Sequence, residues 1–82
     1  MRIIFHPHAL ERMNERDASK AEVRETVRTG ESFVAKYGRQ GHRKNFSIPG
    51  TPTKEYRTKQ IEAIGVAERT QFVVITVIIK YF

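Results

Sequence analysis

No cysteine occurs in this chain, which excludes disulfides, Cys-based zinc sites and thiol nucleophiles. The absence fits a reducing compartment, and a cytoplasmic location is the expectation. Long hydrophobic runs are also missing. The longest apolar-rich stretch, FVVITVII, has eight residues, against the roughly 20 that a membrane-spanning helix needs. Near the start the apolar run IIF is only three residues long, so no signal peptide and no membrane partner are expected. Neither a His-Glu-x-x-His pair nor a phosphate-binding glycine loop nor a Gly-x-Ser-x-Gly elbow is present. The three histidines and scattered carboxylates lack metal-ligand spacing, so neither metal nor cofactor is expected.

Acidic residues are scarce. Nine Asp and Glu face 15 Lys and Arg, a formal charge of +6 over 82 residues and a pI near 10.1. On so small a surface that field favours an anionic partner, nucleic acid first and an acidic protein second. No linker, repeat or low-complexity segment divides the chain, so one domain spanning residues 1–82 is expected. A chain of this size buries only about 60% of its unfolded surface, which leaves a homodimer open.

The order of elements is readable from caps and periodicity. RIIF reads as a short strand. Pro7 suits the first turn of a helix with His6 at its cap, and Ala9, Leu10 and Met13 form a narrow apolar stripe. That helix is expected to end near Arg16 or Asp17. Ser19 and Glu22 have capping-box spacing, so a second helix begins near Lys20 and turns Val23 and Val27 inward. Gly30 is its expected stop, in the left-handed conformation that glycine adopts without penalty. SFVAKY and HRKNFSI then form a hairpin around Gly-Arg-Gln-Gly, and GRQGHRKN is its most basic stretch, with four cations counting His42. PGTPT is turn chemistry. RTKQIEAIGVA is a third strand with Gly65 marking a bulge, and FVVITVIIKYF is a strand apolar on both faces that belongs inside the sheet. The expected fold is α+β: two N-terminal helices packed on a mostly antiparallel four- to five-stranded sheet, in the order βααββββ.

His8, Arg12 and Arg16 are spaced four apart. Each step advances about 400° around a helix, so all three lie along one face. The free amides and dipole at a helix start favour a neutral imidazole at His8, as a general base requires. They also suit a phosphate oxygen. Arg12 could fork two hydrogen bonds onto that phosphate. The ordinary alternative is that the arginines pair with Glu11, Glu15 or solvent. Further cations (Arg43, Lys44, Lys54, Arg57, Lys59 and Lys80) are interleaved with Tyr37, Tyr56 and Tyr81, a mixture suited to single-stranded RNA. Without a metal, a nuclease of this kind is limited to RNA, whose 2′-hydroxyl supplies an internal nucleophile.

The stretch HALERMNER, the capped helix SKAEVRETVRTGE and the β-rich end VVITVI resemble a small prokaryotic and phage family, domain of unknown function 4258. The resemblance covers nearly the whole chain. Its layout is similar to the RelE/ParE and BrnT-like toxins, with N-terminal helices over an antiparallel sheet. Many of those are metal-independent ribonucleases held by antitoxins. The resemblance places the motif histidine at His8, its arginines at Arg12 and Arg16 and its acid at Glu15, with Asp17 where glycine is common. By position on the sheet and at the C-terminus, it adds Lys59, Lys80 and Tyr81. The first reading is therefore an RNA-binding toxin-type endoribonuclease. Its catalytic residues would be His8, Arg12, Lys59 and Tyr81, its RNA-binding residues Arg16, Arg43, Lys44, Arg57 and Lys80, and its partner an acidic antitoxin or immunity protein. The second is a non-catalytic protein- or nucleic-acid-binding module on the same fold.

Overall fold

The structure, a computed structural model, describes residues 1–48 and 57–82; the PGTPT turn, Lys54 and Tyr56 lie outside them. The chain runs β1 (Arg2–Phe5), α1 (Pro7–Arg16), α2 (Lys20–Thr29), β2 (Glu31–Val34), β3 (Gln40–Ser47), β4 (Thr58–Ala67) and β5 (Gln71–Tyr81), with a 3₁₀ turn at Lys36–Gly38. The strands form one sheet in the order β1-β5-β4-β3-β2. All pairings are antiparallel except β1 with β5. This is the expected α+β fold, with β5 inside the sheet and both helices packed on it.

Local chemistry sets the helix ends. Pro7 opens α1, and Nδ1 of His6 accepts the His8 amide at 3.1 Å, satisfying a donor that has no partner within the helix. Ser19 and Glu22 complete the capping box, with both bonds at 3.0 Å. The left-handed helix end falls at Asp17 (φ 59°, ψ 50°), after which the Ala18 amide donates to the Met13 carbonyl at 3.0 Å. Gly30 corrects the expectation: its backbone is extended (φ −79°, ψ 170°). Glycine is required there for space, because a Cβ would collide with the carbonyl oxygens of Thr26 and Arg43.

The β2–β3 connection is also displaced from its expected place. Tyr37 and Gly38 take the positive φ values, 63° and 69°, and the Ala35 amide donates to the Arg39 carbonyl. Gly41 is already inside β3, opposite Phe33, whose ring occupies the space a Cβ would fill. Gly65 does mark a bulge. The β4–β5 register shifts between Ile64 and Gly65, and Ile75 is the extra residue. A Cβ at Gly65 would collide with the Val73 carbonyl.

Residue alternation divides the sheet into two faces. Ile61, Ala63, Phe72, Val74 and Val77 are buried under the helices with Ala9, Met13, Val23 and Val27. Leu10, expected in the apolar stripe, is instead 36% exposed, because the Ala9–Met13 line is the one that meets the sheet. Arg43, Asn45, Gln60, Glu62, Ile78 and Lys80 occupy the opposite, helix-free face. Among the described residues no helix is long and apolar enough to cross a membrane.

Candidate functional site

Helix α1 follows directly from β1, and the His6 amide donates to the Val74 carbonyl at 2.9 Å. From there α1 packs along β5. Its outer side carries His8, exposed in the first turn, then the half-buried Arg12 and the exposed Arg16. Arg12 and Arg16 line a cleft of about 250 Å³ whose other wall is Thr76–Ile79 of β5. Neither arginine has an ion pair among the described residues, and Glu15 pairs with neither.

The other expected site residues separate onto different surfaces. Lys59 lies under the α1–α2 junction, where its ammonium donates to the Asp17 carbonyl at 2.6 Å and to Glu22 Oε1 at 3.1 Å. Its side chain is 12% exposed. Asp17 is nine residues beyond His8, about 13 Å along the helix axis, so Lys59 and His8 do not meet. Burial opposes charge on Glu22. The Ser19 amide and the Lys59 ammonium outweigh it and hold the carboxyl below its ordinary range. Tyr81 is opposite Lys59 in the β4–β5 register.

Lys44 is also bound to α2, donating to the Thr29 hydroxyl at 2.6 Å and lying 3.9 Å from Glu25. On the helix-free face, Arg43 Nε donates to Glu62 Oε2 at 2.9 Å, and Lys80 is 3.9 Å from the same oxygen. The Arg43 guanidinium also stacks 4.4 Å over the Phe33 ring. Arg57 stands beside the C-terminus, its amide donating to the Phe82 carbonyl at 3.2 Å. The structure therefore brings Arg12 and Arg16 together, and Arg43 with Lys80. It separates Lys44 and Lys59 from both pairs.

His42 corrects the expectation that it counts among the cations of the β2–β3 hairpin. It lies in β3 on the helix face, 9% exposed, with its ring edge-on to Phe72 (centroids 5.1 Å, planes at 80°). Nε2 is 3.1 Å from the Gln40 amide nitrogen, and Nδ1 is buried without a partner. Burial depresses its pKa below the ordinary value of about 6.5. The unfolded chain thus takes up this proton first as pH falls. Stability is full above about pH 6.5 and declines as pH drops through the lower folded-state value. Urea midpoints measured from pH 7.5 to 5 are expected to fall for the native chain and to fall less for His42→Leu. Parallel slopes for the two proteins would remove His42 from the acid response.

Sequence reasoning missed the β5 edge that forms the second wall of the arginine cleft, although the lengths of the two strands signal it. A strand of four residues cannot cover one of eleven. Among the described residues, no three of His, Asp and Glu converge as a metal-holding cluster. No curated protein and no solved structure matches the chain. The α1 stripe, the arginine cleft and most of the sheet fall within residues 5–79, the stretch matched by the family model described as Domain of unknown function (DUF4258), and the chain belongs to that family.

Proposed function

We propose that this protein binds single-stranded RNA along the outer side of α1 and cleaves it without a metal, as a toxin-type endoribonuclease. Arg12 and Arg16 hold a phosphate. His8, one turn before Arg12, takes the proton from the adjacent 2′-hydroxyl. The 2′-oxygen then closes on phosphorus, and the 5′-oxygen leaves with a proton from solvent, giving a 2′,3′-cyclic phosphate. The observation that carries this reading is the pairing pattern of the cations. Arg43, Lys44, Lys59 and Lys80 each have a carboxylate within 4.0 Å, whereas Arg12 and Arg16 share a cleft with no such neighbour among the described residues. Arg57 adds an exposed cation beside Phe82, past the end of β5. The RelE-like resemblance agrees with this reading, and a reducing cytoplasm is the setting it implies.

One observation favours a second reading. The His8 ring is exposed and has no hydrogen bond to orient it among the described residues. A module that binds RNA on the same surface without cutting it needs no oriented base. Incubation with single-stranded RNA in EDTA separates the two. For the enzyme, the native protein leaves cyclic-phosphate ends, and His8→Ala slows cleavage at least about a hundredfold with binding retained. Arg12→Ala weakens binding roughly tenfold. Binding that falls steeply with salt, with no cleavage, supports the module. Absence of both ends the RNA reading.

A further inference from the structure

The arginine cleft has a second property, independent of RNA. Strand β1 pairs only with Gln71–Val74, while β5 continues to Tyr81. Beyond Val74, β5 is paired on one side by β4 and has no strand on the other among the described residues.

The hydrogen-bond alternation of the β4–β5 ladder identifies the groups on that open side. Phe82 and Thr58 exchange both amide–carbonyl bonds, at 2.9 and 2.7 Å. In an antiparallel ladder such pairs recur every second residue, so Lys80, Ile78 and Thr76 direct their N–H and C=O groups at β4. Val77 and Ile79 direct theirs outward, into the cleft that Arg12 and Arg16 line. No backbone partner covers them among the described residues. An edge of this kind is a template for a further strand.

We propose that the open edge of β5 at Val77–Ile79 accepts an extended acidic segment of a partner protein as an added strand beside β5. Backbone pairing supplies the ladder, and side-chain alternation supplies the choice of partner. One set of the added strand's side chains turns toward the α1 side of the sheet, where Arg12 and Arg16 take carboxylates. The other set turns to the helix-free face beside Ile78, which is 40% exposed and takes apolar residues. Acidic and β-branched residues in alternation are therefore the pattern that fits. A second copy of this chain is disfavoured by charge, since pairing two β5 edges sets Arg12 and Arg16 of each copy against those of the other on chains of net charge +6. Nucleic acid cannot supply an alternating amide ladder.

The test uses a capped hexapeptide of alternating glutamate and valine, its lysine–valine counterpart, and a form N-methylated at alternate residues. Fluorescence anisotropy reads binding to the full chain, and amide exchange by NMR reads its place. The glutamate peptide is expected to bind and to slow exchange at Val77 and Ile79 at least tenfold. Arg12→Gln with Arg16→Gln weakens it tenfold or more. The lysine peptide does not bind, and N-methylation on the pairing edge abolishes binding with every protein side chain intact. The proposal is overturned by three outcomes: no binding, binding that leaves Val77 and Ile79 exchanging freely, or protection of those amides in the free protein that rises with its own concentration. RNA cleavage enters none of these readouts, so failure here and failure of the nuclease reading are separate results.

Discussion

Arg43→Met is expected to lower folding stability by about 3 kcal/mol, and Glu62→Met added to it recovers most of that loss. The prediction rests on Glu62. Its side chain is 9% exposed, in the middle of β4, and it is a direct cross-strand neighbour of Arg43. The Arg43 Nε bond at 2.9 Å is the close contact that offsets the cost of removing this carboxylate from water, while Lys80 at 3.9 Å is more distant and 58% exposed. Methionine keeps much of the stem volume of arginine but leaves the acid without its donor, and an unpaired buried charge costs more than the pair contributes. Since Arg43 is itself one-third exposed, the lower end of the range for broken buried pairs applies. Urea midpoints for the two single variants and the double variant close a double-mutant cycle. A loss below about 1 kcal/mol in Arg43→Met would mean that Lys80 swings in to replace it, and the central role of Arg43 on this face would be lost.

How far the sequence could be read depended on whether a signal was local. The Ser19–Glu22 box, the Pro7 start and the His6 cap involve partners within three residues, and the structure forms each of them as expected. The β-branched continuity of Phe72–Ile79 correctly placed β5 inside the sheet, and Gly65 correctly marked a bulge. Gly30 was legible as a helix end but not in its reason, which is the approach of the Arg43 carbonyl, 13 residues away in sequence. Lys44, Lys59 and Lys80 could not be sorted from composition. Which cation meets a carboxylate depends on strand register and helix placement, and Lys59 finds Glu22 across 37 residues. His42 looked like one of the hairpin's cations because it precedes Arg43 and Lys44. Its burial follows from the turn forming earlier, at Tyr37 and Gly38, so that β3 starts at Gln40 and His42 lies inside the strand opposite Ala63.

The core around His42 gives the largest expected loss. Phe72 is fully buried and is the largest such side chain, so Phe72→Ala is expected to cost about 4 kcal/mol through lost transfer energy and the cavity left behind. Domains of this kind have total stabilities of about 5–15 kcal/mol, so the variant stands close to unfolding at 37 °C. The milder Phe72→Leu keeps the fold and tests the local argument. The Phe72 ring stands edge-on to His42, whose Nδ1 is buried without a partner. A smaller side chain opens that contact to water, eases the burial that depresses the His42 pKa, and moves it back toward the ordinary value. The gap between folded and unfolded titration then narrows. Phe72→Leu should therefore be less stable than the native chain at pH 7.5, yet lose less further stability on acidification to pH 5. An NMR titration of the His42 ring protons reads the shift directly. A His42 pKa that stays in place in Phe72→Leu would assign its desolvation to the helix layer above β3 rather than to Phe72.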